Sequence, residues 1–204
     1  MLSSLFGAGR GTASVPIFPL NTVLFPGALL PLKIFEVRYI DMARECLREG
    51  KRFGVCLIRE GGEVGTPAVP FEVGCLARIV ECDVEELGVL KVRVEGTERF
   101  RLLATAVSKQ GLILGDTEPL MAEAAVTDTQ GLAECAEFLR KVIPAIGPDR
   151  FGVPLRYEDA SWVGFRLAEI LPLRNDVRQK LLEITDAALR VGILHRFLRE
   201  QKLV

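Results

Sequence analysis

The chain has 204 residues, 49% of them hydrophobic and 26% charged, with a net charge of −1 at neutral pH. That composition is globular and excludes an apolar-poor, charge-rich disordered chain. Charge is spread evenly, with 14 Lys and Arg against 15 Asp and Glu in residues 1–120 and 12 against 12 beyond, so no block concentrates the positive field that tracks phosphates.

Mean hydropathy is +0.27, but no apolar run reaches the roughly 18 residues of a membrane-spanning helix. The apolar excess therefore belongs to a core or an interface, and no membrane association is expected. The five cysteines, Cys46, Cys56, Cys75, Cys82 and Cys135, are odd in number and contain no C-x-x-C pair. They read as reduced, mostly buried thiols of a cytoplasmic protein. A zinc site is not expected, because Cys75 and Cys82 have the wrong spacing and the chain holds one histidine.

Residues 1–14 (MLSSLFGAGRGTAS) lack the basic and long apolar regions of a secretory signal and read as a flexible tail. Val15 to Phe18 reads as a first strand, and Val23 to Phe25 as a short extended segment. Pro26-Gly27 fits the central positions of a type II turn, Pro fixing φ and Gly accepting a positive φ. Leu29 to Ile34 is a strand that Pro31 confines to an edge or a bulge. Glu36 to Glu49 has the helical period, with Ile40, Ala43 and Leu47 on one face, Tyr39 and Cys46 flanking them, and Arg38 outside the stripe. Gly50 ends it.

Phe53 to Ile58 is apolar on both faces, as in a strand covered on both sides. Glu60 to Pro70 is a Gly- and Pro-rich loop. Val73 to Val84 is a strand. Leu87 to Glu95 alternates, with Leu90, Val92 and Val94 on one side. Gly96-Thr97 reads as a turn before Arg99 to Val107, whose Phe100, Leu102, Ala104 and Ala106 face inward. Gly111 to Gly115 is one more strand. Short strands, tight turns and one early helix predict a small mixed or antiparallel β-barrel over residues 15–120.

The period then changes to 3.6. Residues 121–204 predict a polar connection and three helices: Leu132 to Ile146, a helix capped by Asp159 and ending by Pro172, and a long helix capped by Asn175. The long helix repeats Val177, Leu181, Ile184, Ala188, Val191, His195 and Leu198. The fold class is α+β, a small barrel followed by a C-terminal α-helical bundle.

Catalytic signatures are missing from the sequence. His195 lies on a helix seam without partners at matched spacing and reads as a packing residue. No G-x-S-x-G elbow accompanies it. Ser108 and Lys109 are strand neighbours that point to opposite faces. The loop Glu60 to Pro67 has three glycines but no G-K-[ST]. Glu85 and Glu86 read as a solvated turn, and Trp162 with Phe165 as core. No catalytic, cofactor or metal residue is assigned, and no enzyme is expected.

The opening VPIFPLNTVLFPGALLPLKIFEVRY resembles the start of the N-terminal, substrate-binding domain of ATP-dependent Lon proteases. The block FEVGCLARIVECDVEELGVLKVRVEGTERFRLL and the helical WVGFRLAEILPLRNDVRQKLLEITDAALRVGILHRFL are similar to that domain too. The resemblance covers about residues 15–200. It implies a PUA-like barrel joined to a helical bundle, and a role in recognising protein substrates. It carries over neither ATP hydrolysis nor peptide cleavage, because the ATPase and Ser-Lys protease domains are missing from this sequence.

The function expected is therefore a non-catalytic protein- and peptide-binding module, an adaptor or modulator of proteolysis. Its partners would be unfolded or extended polypeptide segments, with a protease or chaperone beside it. Leu24, Phe25 and Pro26 of the corner, with Glu36 and Arg38 at the helix start, are the candidate peptide contacts, because an apolar turn is expected to be exposed. The alternative is an RNA-binding PUA-like module, which would need Arg78, Arg93, Arg99 and Arg101 on one open face.

Overall fold

A computed structural model describes residues 14–86, 88–147 and 150–204, without the side chains of Glu85 and Glu86. Of the expected tail at 1–14, residues 1–13 lie outside the described residues, as does Leu87; Glu85 and Glu86, expected in a solvated turn, instead end the strand Val73–Glu86, Glu86 pairing with Val89.

Seven described strands form one sheet: β1 (Val15–Leu20), β2 (Leu29–Ile34), β3 (Phe53–Glu60), β4 (Val69–Pro70), β5 (Val73–Glu86), β6 (Val89–Val107) and β7 (Ile113–Pro119). Five of them run in the order β1-β7-β6-β5-β3, and β3 pairs back to β1 in parallel, so the sheet closes on itself. Closure removes the exposed edges an open sheet would carry. Ile17, Cys56, Phe100, Leu102 and Ile113, with Leu76 against them, come from all five strands and fill the ring. β3 is buried on both faces, as its unbroken apolar run predicts.

The Pro26-Gly27 corner forms the turn its residues dictate. Gly27 has φ of +74°, and the Ala28 amide donates to the Phe25 carbonyl at 3.0 Å. β2 follows and pairs with β6, Leu30 opposite Val94 and Ile34 opposite Leu90. Helix α1 (Val37–Glu49) ends at Gly50 in the left-handed region. Its buried stripe is rotated from the expected one. Leu47 is 44% exposed, while Met42 and Arg38 are buried, because the Arg38 guanidinium has acceptors that let it go inside.

Three further expectations are corrected in the sheet. The chain does not turn at Gly96-Thr97: β6 runs straight through. A bulge there sets Ala77 opposite Gly96 but Cys75 opposite Arg99, and the bend lets the Gly96 backbone lie against the corner. Ala104 and Ala106 are exposed, and so are Leu103, Thr105 and Val107: beyond the bulge between Leu102 and Ala104 this end of β6 leaves the core and is uncovered on both faces. The last strand starts at Ile113 rather than Gly111, since Ser108 to Leu112 forms the preceding turn, with the Ser108 amide donating to the Leu112 carbonyl at 2.8 Å.

Four described helices form the bundle: α2 (Leu132–Ile146), α3 (Ala160–Ile170), α4 (Asn175–Glu183) and α5 (Ala187–Glu200). The Asp159 side chain caps α3, accepting from Ser161 and Trp162. The expected long third helix is broken at Ile184-Thr185-Asp186, where Asp186 caps α5 by accepting from Leu189. Asn175 is not a cap; its side chain donates to the Asn21 carbonyl at 2.5 Å. The break has a visible use. It leaves the Ile184 carbonyl open to Arg99 at 2.6 Å and Arg190 at 2.9 Å, two strong donors for a group that a helix end orphans.

Barrel and bundle share one large apolar core, in which Phe25, Val73 and Ala77 pack with Trp162, Phe165, Leu181 and Leu194. Polar bonds cross the same interface. Glu123 is held between Arg99, at 2.7 Å, and Arg190. Arg190 lies over the Phe165 ring, 3.8 Å from its centroid. Gln179 donates to the Val73 carbonyl at 3.0 Å.

Candidate functional site

β2 is the strand on which a surface site can be built. Among the described pairings it has β6 on one side, with its other edge unpaired by a strand. That edge borders a slot of about 230 Å³ lined by all five residues from Leu30 to Ile34. Alternating side chains cannot put five consecutive residues on one wall; the wall is the backbone edge itself.

The floor of the slot is apolar. Phe18 and Tyr39 are buried and stacked, with ring centroids 4.2 Å apart. Leu20 and Ile34 complete it. Burial pushes the Tyr39 hydroxyl above its usual pKa, against the opposing pull of Arg38. The lips are hydrophobic and exposed: Phe35 is 55% and Val64 61% accessible. Thr22, Lys33, Glu36 and Glu63 form a polar rim. The loop that carries Val64 is tied down where the Asn21 amide donates to Glu63 Oε1 at 2.6 Å. An apolar trough beside unpaired backbone, edged by a few polar groups, has the chemistry of a seat for an extended chain.

The candidate contacts read from the sequence do not assemble there. Leu24 and Phe25 are core residues, 2% and 1% exposed, so the exposed apolar corner is corrected. The reason is Arg166 on α3, which is fully buried and donates to the Gly27 carbonyl at 2.6 Å and the Pro26 carbonyl at 2.8 Å. The corner is a joint between barrel and bundle. Arg38 pairs with Glu36 at 2.8 Å, donates to the Gly111 carbonyl at 2.9 Å and covers the Tyr39 ring. It orients Glu36 and faces away from the slot. Of the five residues, Glu36 lines the slot.

The arginines of the RNA alternative do not form an open face. Arg99 is buried, Arg78 pairs with Glu95 at 2.5 Å, Arg93 with Glu81 at 3.2 Å, and Arg101 lies near Glu72 and Glu118. His195 is paired with Glu134 across α5 and α2. Among the described residues no three His, Cys, Asp or Glu side chains gather as a metal cluster would require. No helix of the described residues is long and apolar enough to cross a membrane.

The model of the ATP-dependent protease La (LON) substrate-binding domain matches residues 14–200. The chain belongs to this family. The crystal structure of a Lon N-terminal domain protein from Xanthomonas campestris superposes with a TM-score of 0.75 at 36% identity, over 89% of this chain and 96% of that one. The N-terminal domain of a Lon protease of the Mycobacterium avium complex shares the fold, with a TM-score of 0.66 at 17% identity. Lon protease 2 of Herpetosiphon aurantiacus is 29% identical over 93% of this chain. The chain spans about a quarter of the length of the curated relatives it matches, 24% in that case.

Sequence reasoning missed the slot and the buried arginines. Pro31 marked β2 as an edge, and that signal could have led to the slot. Arg166 and Arg190 sit on helices at spacings that charge alone assigns to solvent, so only their partners reveal them.

Proposed function

We propose that this chain is a non-catalytic binding module for extended or unfolded polypeptide segments, which it takes up along the open edge of β2. The observation that carries the reading is the slot. A strand edge that no other described strand pairs runs beside an apolar floor with two exposed hydrophobic lips, Phe35 and Val64. Main-chain bonds to the edge supply affinity for any extended chain, and the floor selects apolar side chains. Membership of the LON substrate-binding family supports polypeptides as the ligand class. On this reading the chain serves proteolysis as an adaptor or modulator, delivering or withholding segments for a protease or chaperone.

Fluorescence anisotropy tests it with a reduced, carboxymethylated model protein and the native form of the same protein. The unfolded form binds and the native form does not. The double variant Phe35→Ser, Val64→Ser changes only exposed side chains and weakens binding by about tenfold, roughly the loss of 1.4 kcal/mol of apolar contact. Equal binding of native and unfolded forms, or a variant that binds as tightly as the wild type, contradicts the reading.

A further inference from the structure

A second cavity borders the start of the same strand. It is a cleft of about 500 Å³ between β2 and the bundle, lined by Leu29, Pro31 and Arg93 from the sheet and by Ile146, Arg150 and Glu169 among the helical residues. Leu30 and Pro31 border both cavities, so slot and cleft meet at one strand edge.

The two cavities differ in charge. The slot floor is apolar. In the cleft, Arg93 pairs with Glu81 at 3.2 Å. Glu169 is surrounded by Arg166, whose Nε lies 3.3 Å away, and by the charges of Arg178 and Arg150. Arg93 and the buried Arg166 each have a carboxylate partner, and beyond these pairs the exposed Arg150 stands at the cleft wall. The surplus is positive.

The pleat links the two. In β2 the residues Leu30, Leu32 and Ile34 share one face with Val94, Val92 and Leu90, while Leu29, Pro31 and Lys33 share the other with Glu95, Arg93 and Lys91. A chain added to the open edge continues that pleat, so its successive side chains point alternately to the two faces. Phe151 bridges Ala28, which closes the edge at one end and leaves Leu30 to Ile34 for the guest.

We infer that the preferred ligand is an extended polypeptide segment in which apolar and acidic residues alternate, the apolar ones entering the slot and the acidic ones the arginine-lined cleft. This deepens the slot reading and rests on it. Charge complementarity sets the choice, since a basic residue in the second position would meet Arg93 and Arg150.

Three labelled peptides of about eight residues, a common strand length, test it by anisotropy at low and moderate salt. One alternates Leu with Asp, one alternates Leu with Lys, and one has the Leu and Asp of the first in two blocks. The alternating Leu-Asp peptide binds about tenfold tighter than either other peptide, and salt erodes the difference. Arg150→Glu, an exposed change whose fold is verified by circular dichroism, removes the preference for Asp over Lys while leaving Leu-dependent binding. Equal affinity for all three peptides, or an unchanged preference in Arg150→Glu, overturns the alternation and leaves the slot standing. Binding of none of them overturns both.

Discussion

Arg166 shows how one side chain can convert an apparent surface into a joint. Its two terminal nitrogens bind the Pro26 and Gly27 carbonyls, and its Nε approaches Glu169. Arg166→Met leaves two carbonyls without their donor and the Glu169 carboxylate without its paired charge, at a cost of about 3 kcal/mol. Urea denaturation reads that loss as a lower midpoint with an unchanged slope; a midpoint within error of the wild type would mean the clamp contributes nothing. The thiols give a second residue-scale expectation. Burial pushes Cys75 and Cys135 up to about 12 and Cys46 up to about 11, while Cys82 alone is exposed. Thiolate is the reactive form. Alkylation at pH 8 therefore modifies Cys82 in the native protein and the other four cysteines only on unfolding, as mass spectrometry would record. Rapid native labelling of Cys75 would contradict that packing.

At the scale of elements, glycines of different kinds separate conformation from space. Gly50 needs a positive φ but has open surroundings, whereas a Cβ on Gly96 would stand 2.2 Å from the Phe25 carbonyl oxygen. Gly50→Ala costs about 1 kcal/mol. Gly96→Ala costs more, about 3 kcal/mol, because the corner or the strand must move. Equal losses in thermal melts would contradict this ranking. Elements with a clean period were legible in the sequence: β2, α1 and α2 lie within a residue of where apolar spacing, Pro-Gly and Gly50 place them. What was hidden depended on distant partners. The bulge at Gly96 follows from the corner pressing against it, and the break between α4 and α5 serves Arg99 and Arg190, neither of which sequence spacing discloses. The Asp186 cap was the one local sign of that break. At the candidate site, Glu36 was found by its place at a helix start. Phe35 and Val64 were not, because exposure of single apolar residues carries no period.

For the whole molecule, the shared core and the Arg99–Glu123–Arg190 and Arg166 links tie barrel and bundle into one packed unit. That rigidity has a functional sense. A strand edge can template an incoming chain only if the strand is held, and β2 is held by β6 on one side and by the clamped corner at its start. Backbone hydrogen exchange tests this directly. Amides of Leu29–Ile34 and of residues 61–65 are compared with and without a saturating unfolded model protein. Slower exchange confined to those two segments is the expected result. Protection elsewhere with β2 unchanged would contradict the assignment of the β2 edge as the place where polypeptide binds.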